Sequence, residues 1–255
     1  MGLSIQIALS SEGSAIMEKN SIKSVGDIHL EAGEYGDISC AGDLKFSGSI
    51  IADNIKAAGD LIADMDVKAV KISVYGDGKF KGNLEADEIS VYGDGNFLQH
   101  VKGKEIKVFG SMKANVVDGE RITINGELEK VEEINAEELI LNGEFHVMSS
   151  MNLGYGKFQL VGKSDAKEIF CEELEVRSNM ESFHGIFSGL VSKGKGGTLK
   201  VDVIEGDEIY LENTTANIVR GKTVKIGEGS KIGKVEYSDT LEIFDDGVVD
   251  LKEEF

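Results

Sequence analysis

The sequence predicts an all-β fold: a single-stranded right-handed parallel β-helix, or β-solenoid, of about 17 residues per coil. Three observations carry this expectation. A phrase recurs down the chain, its copies opening at Val25, Ala41, Ala58, Tyr75, Tyr92, Phe109, Asn125, Asn142 and Val161, each followed by glycine. Within each copy apolar residues alternate with polar ones and slip out of phase once, as a strand with one buried face does when the chain turns a corner. The 255 residues include no proline, in keeping with strands whose N–H groups nearly all donate to a neighbour.

Stacking the copies gives columns. One holds Ile55, Ile72, Ile89, Ile106, Ile122 and Leu139; another Ala57, Val74, Val91, Val108, Ile124 and Leu141; a third Ile50, Val67, Leu84, Val101, Val117 and Ile134. Phe46, Phe80 and Phe97 share an interior column, whereas Tyr75, Tyr92 and Phe109 form a separate aromatic ladder whose facing the sequence leaves open. Burying such side chains is worth about 1.5–3 kcal/mol each, ample for a core. A column of small residues, Ala52, Ala69, Ala86, Gly103, Gly119 and Ala136, marks a tight corner. The corner glycines are expected at positive φ. Lys130 falls in the phenylalanine column and is expected to point out, Val131 replacing it through a bulge. Right-handed winding follows because left-handed β-helices carry a hexapeptide repeat, which this register lacks.

Four zones follow along the chain. Residues 1–24 form an N-terminal opening segment or cap, and 25–176 the regular solenoid. Residues 177–244 continue it irregularly, with a Gly/Lys-rich loop near 192–197, and 245–255 form an acidic C-terminal tail. The repeat argues for one elongated domain.

Composition excludes several classes of partner. The net charge of −19 opposes nucleic acid and an anionic bilayer. No apolar run approaches the roughly 18 residues of a membrane span, so direct membrane insertion is not expected. The first twenty residues lack the basic start of a signal peptide. Cys40 and Cys171 stand about eight coils, some 38 Å, apart at the strand spacing, too far for a disulfide. They read as small buried residues of a cytoplasmic protein, possible membrane proximity coming only through partners.

Candidate chemistry is thin. Gly162-Lys163-Ser164 ends a stretch like a phosphate-binding loop, but Lys157 stands where that motif needs glycine and no helix is expected to follow. Asp27, Asp43, Asp60, Asp77 and Asp94 occupy one column. Calcium rolls use such aspartates, though in a nonapeptide period; a solvated acidic ladder, neutralised by Lys45, Lys79 and Lys113 two positions on, is the favoured reading. His29, His100, His146 and His184 are scattered, with no ligand spacing and no adjacent nucleophile. No catalytic, cofactor-binding or metal-binding residue is therefore assigned, no cofactor is expected, and the chain is read as a non-enzyme.

The GDL and GDG corners, the strand ends of the form A-[DK]-x-I-x-V and the closing passage 217–243 resemble the bactofilins, polymer-forming cytoskeletal proteins of bacteria, in the longer form found in Gram-positive species. The likeness covers 25–176 well and 200–244 moderately. It implies a right-handed β-helix that polymerises end to end without nucleotide and recruits other proteins as a scaffold. This chain departs from the pattern in its length, its irregular last third, and the lack of proline-rich tails and of an obvious hydrophobic anchor.

Physics alone makes the two ends the places to look. An end coil carries unpaired backbone groups that another copy can cover. Val25, Ile28 and Leu30 are the expected contacts in the first coil, and Leu241, Ile243 and Phe244 in the last. The partners expected are the chain itself and a protein cargo the sequence does not name. Two alternatives stay open: a β-helical enzyme acting on a sugar or acyl group near 142–200, and a monomeric protein-binding module with charged, blunted ends.

Overall fold

The computed structural model describes residues 19–178 and 196–255. Among these there is no helix, and every strand pairing is parallel. Strands stack as a β-solenoid of about 13 turns. The early coils alternate long and short strands: β1 (Asn20–Ser24), β2 (Ile28–Leu30), β3 (Gly33–Cys40), β4 (Leu44–Phe46), β5 (Ile50–Ala57), β6 (Leu61–Ala63), β7 (Val67–Val74), β8 (Gly78–Phe80) and β9 (Leu84–Val91). Long strands pair with long and short with short, in two columns that merge in β10 (Gly95–Val108). The continuous strand β11 (Ser111–Leu160) then winds on to β12 (Lys163–Arg177).

After residues 179–195, which lie outside the described residues and include His184, the chain returns to the same ladder. In β13 (Thr198–Leu211), Thr198 pairs with Lys163 and Leu211 with Val176 of β12. Then follow β14 (Thr214–Ile226), β15 (Lys231–Ile243) and β16 (Val248–Glu254). The spacing tightens here: Leu199 lies opposite Thr214 and Val201 opposite Ala216. The acidic tail supplies β16, pairing Val248 with Lys231 and Glu254 with Tyr237.

The core is one cluster running from Ile38 to Val235. In β5 the burial alternates through Ile50 and Ala52, slips at Asp53 and Asn54, and resumes at Ile55 and Ala57; that slip is the corner. Phe46, Phe80 and Phe97 are fully interior, and Ala63 sits between the first two in the register. The Phe80 and Phe97 rings stack with centroids 5.3 Å apart. Further on, Lys130 is exposed while Val131 is buried, so the charge points out of the core.

One expectation about glycine needs correction. Positive φ is confined to Gly126, Gly143 and Gly229 among the described glycines. The corner glycines of the regular coils are there for space. A Cβ on Gly59, Gly76 or Gly93 would meet a carboxylate oxygen of the preceding coil at 2.3–2.4 Å.

The aromatic ladder turns outward. Tyr75, Tyr92 and Phe109 are about half exposed, and their rings stack in parallel with centroids 4.9 and 5.1 Å apart. Magnitudes separate the two aromatic rows. Phe80→Ala is expected to cost about 3–5 kcal/mol as an interior cavity. Tyr92→Ala is expected to cost about 0.5–1.5 kcal/mol, the worth of aromatic stacking at a wet surface. Urea denaturation of both variants beside the parent chain checks the ranking.

Candidate functional site

The repeated Gly-Asp corner builds a continuous structural element. Asp27 Oδ1 accepts the N–H of Asp43 at 2.8 Å, and Asp43, Asp60 and Asp77 accept the N–H of Asp60, Asp77 and Asp94 at 2.8–2.9 Å. Asp94 closes the run on the N–H of Ser111 at 2.8 Å. Each carboxylate fills the space left by the next coil's glycine and caps the next coil's backbone. The acids are thus satisfied by N–H groups rather than by the neighbouring lysines: no ion pair joins Lys45 or Lys79 to this column among the described residues, and Lys113 pairs with Glu129. Among those residues no three His, Cys, Asp or Glu side chains converge as a metal site. The sequence showed the column, but only cross-coil register reveals what the carboxylates accept.

The phosphate-loop resemblance dissolves in the same way. Lys163 opens a strand, and the Ser164 hydroxyl is buried, accepting the Phe145 N–H at 3.1 Å. The described histidines, His29, His100 and His146, lie on different coils. His100 Nε2 lies 2.7 Å from Asp118 Oδ2. His146 lies between Asp165 and Glu144, and its hydrogen bond to Asp165 raises its pKa. Cys40 is buried, whereas Cys171 is only half-buried, with its thiol pushed up to about 12 chiefly by burial and secondarily by Asp207. A thiol held protonated in this way is a poor nucleophile.

A groove of about 1530 Å³ runs along the solenoid over the small-residue column, with Ala69, Ala86, Gly103, Gly119 and Ala136 in its lining. Sequence reasoning read that column as a tight corner and missed the groove outside it. The corner is tight: a Cβ on Gly119 would meet Ile122 at 2.7 Å. Lys68, Lys102 and Lys104 line the first part of the groove, whereas Glu120, Glu137, Glu172, Glu173 and Glu208 dominate the rest. Inside it an amide ladder runs from Asn152 to Asn135 (2.7 Å) and on to Asp118 (2.8 Å). These polar groups satisfy one another across coils.

A second cluster lies at Ser178, the last described residue before 179–195. Glu212 accepts the Ser178 N–H at 3.1 Å and the Tyr210 hydroxyl at 2.7 Å, and Arg177 lies over the Tyr210 ring at 4.6 Å. Burial, reinforced by Glu212, lifts the Tyr210 phenol to about 12.

The end coils differ from everything between them. β1 pairs only with β3, β2 only with β4, and β16 only with β15, so each presents one unpaired edge among the described residues. Ile28, Leu30, Leu241 and Ile243 are half-buried against the core, closing it incompletely. Val25 is 93% exposed and Phe244 40%, and Val248, Leu251 and Phe255 of the C-terminal segment are also exposed. Lys252 stands opposite Val235 and ends a core column with a charge.

Two proteins of Bacillus subtilis (strain 168) are similar to parts of the chain. Uncharacterized protein YhbF is 63% identical over 43 residues, 17% of this chain and 18% of that protein. Uncharacterized protein YhbE is 40% identical over 79 residues, 30% of each chain. The chain therefore aligns with less than a third of either relative's length. No family model matches it, and no solved structure matches it.

The last carboxylate of the run gives a pH test. The Ser111 N–H, then the Ser111 hydroxyl, hold the Asp94 carboxyl below its ordinary range. A depressed folded pKa contributes stability that is present above the unfolded value, about 3.9, and lost as pH falls through the folded value. Asp94→Ala is expected to melt a few degrees below the parent at pH 7, the gap closing below about pH 4. Melting curves across that range decide it; a gap constant with pH refutes the assignment.

Proposed function

We propose that this chain is a non-enzymatic, bactofilin-like scaffold that self-assembles through its end coils without nucleotide and displays its long faces to other proteins. The observation that carries this reading is the state of the two ends. Among the described residues each leaves backbone N–H and C=O groups unpaired next to half-buried core side chains, which a second copy can cover. Solenoids that need no assembly close both ends with polar capping repeats. Here β16 and Lys252 cap one half of the last coil, while Leu241 and Ile243 remain half-exposed on the other. The regular charged faces, including the lysine–glutamate pairs Lys68–Glu85 and Lys71–Glu88 between successive coils, suit a surface that stays dispersed laterally and joins axially. The reading places the protein in the cytoplasm, meeting the membrane only through partners.

The test uses purified full-length protein without nucleotide. Negative-stain microscopy is expected to show filaments or chains of particles for the parent and discrete particles for Phe244→Arg. Both samples staying discrete across a hundredfold concentration range contradicts the scaffold reading and favours a monomeric binding module.

A further inference from the structure

We infer that Tyr75 and Tyr92 form a site of oxidative modification: a haem peroxidase working with hydrogen peroxide joins their rings as dityrosine and so ties two successive coils covalently. The two rings stack with centroids 4.9 Å apart and 6° between their planes, and each is about half exposed. The backbone fixes the pair in register. The Tyr75 N–H donates to the Ala57 carbonyl at 3.0 Å and the Tyr92 N–H to that of Val74 at 2.9 Å. The glycines that follow are held in the same way, Gly76 on Gly59 and Gly93 on Gly76, both at 3.2 Å. Outside the pair, Lys56 Nζ lies 5.3 Å from the Tyr75 ring centre and Phe109 stacks on Tyr92 at 5.1 Å. Neither of these neighbours has a phenol, so the two tyrosines have only each other to couple with along the ladder.

The chemistry balances without any group from the protein beyond the two rings. Each phenol gives up one electron and one proton to become a phenoxyl radical, whose unpaired spin extends to the ring carbon beside the oxygen. The two radicals couple there in a new C–C bond between one Cε of each ring. The two hydrogens displaced from those carbons return to the oxygens, restoring both phenols, so the chain is lighter by two hydrogens and one hydrogen peroxide becomes two waters. Holding the partners side by side turns a meeting of two scarce radicals into a step within one chain. The other tyrosines are placed differently. The hydroxyls of Tyr35, Tyr210 and Tyr237 are taken up by the Glu31 carbonyl, Glu212 and Glu254, and burial lifts the phenol pKa of Tyr155 and Tyr210. None of these four stacks on another tyrosine among the described residues. Cysteine cannot provide such a tie, because Cys40 is buried and Cys171 stands about eight coils away at the strand spacing. The exposed methionines Met65 and Met148 take up oxygen instead, a change of opposite sign in mass.

The test treats full-length protein with a haem peroxidase and hydrogen peroxide, then reads dityrosine fluorescence and maps linked peptides by mass spectrometry. Tyr75→Phe and Tyr92→Phe are run beside the parent, since each keeps its ring in the ladder and removes only the hydroxyl. The expected result is one dominant link in the parent, Tyr75 to Tyr92 within a single chain and two hydrogens lighter than the separate peptides, and no such link in either variant. The linked parent is also expected to unfold at higher urea than the untreated parent, because the tie closes a loop of one coil in the unfolded chain. Treated Tyr92→Phe is expected to show no such gain. Links that join only separate chains, or that fall mainly on other tyrosines, overturn the site. So does the absence of any link under conditions in which free tyrosine couples. A link that leaves the urea midpoint where it was overturns the tie between coils.

Discussion

Every described strand finds its hydrogen-bond partner in the coil before or after it and never within its own coil, and that constraint governs the rest. A coil has no independent sheet and no independent core. Its apolar residues are buried only if the neighbouring coils present apolar residues in the same columns, so the sequence has to repeat wherever the backbone does. The same condition leaves the first and last described coils with half their partners missing among the described residues. The solenoid's interior and its proposed assembly are two expressions of one rule.

The corner chemistry shows the rule at the level of single atoms. Glycine recurs because the carboxylate of the previous coil occupies the place of its Cβ, and aspartate recurs because that carboxylate accepts the next N–H. Neither residue serves its own coil; each serves a neighbour. The run stops at Ser111, and there the corner changes: Gly126 and Gly143 adopt positive φ, and a side-chain ladder from Asn142 to Asn125 takes over. The coil survives the change because the interior column continues through Ile122 and Leu139 and, after Gly156, through Leu174, whose side chain reaches over that glycine.

Much of this was legible in the sequence. Period, columns and the exclusion of Lys130 all follow from alternation, because alternation is what one-sided burial imposes on a strand. The acceptor role of the aspartates was not legible, since it depends on which N–H lies above a carboxylate, and that is a fact of register. The groove escaped for a related reason: a column of small residues looks the same in sequence whether it narrows an interior corner or lowers an outer surface. Ile28, Leu30, Leu241 and Ile243 could be named as end residues because the repeat fades there, but their half-burial reflects a missing coil, which no local pattern records. The tail 248–254 was harder still, for it places Lys252 where a core valine would belong and so hides its strand.

The ends carry the functional argument, and amide hydrogen exchange reads them most directly. Measured by mass spectrometry at low and high protein concentration, exchange within 20–24 and 240–254 should slow together as concentration rises. Strands such as β7 and β9 should stay equally protected throughout. Exchange at both ends that is fast and indifferent to concentration would contradict the account, because those amides would then have no partner in any other copy.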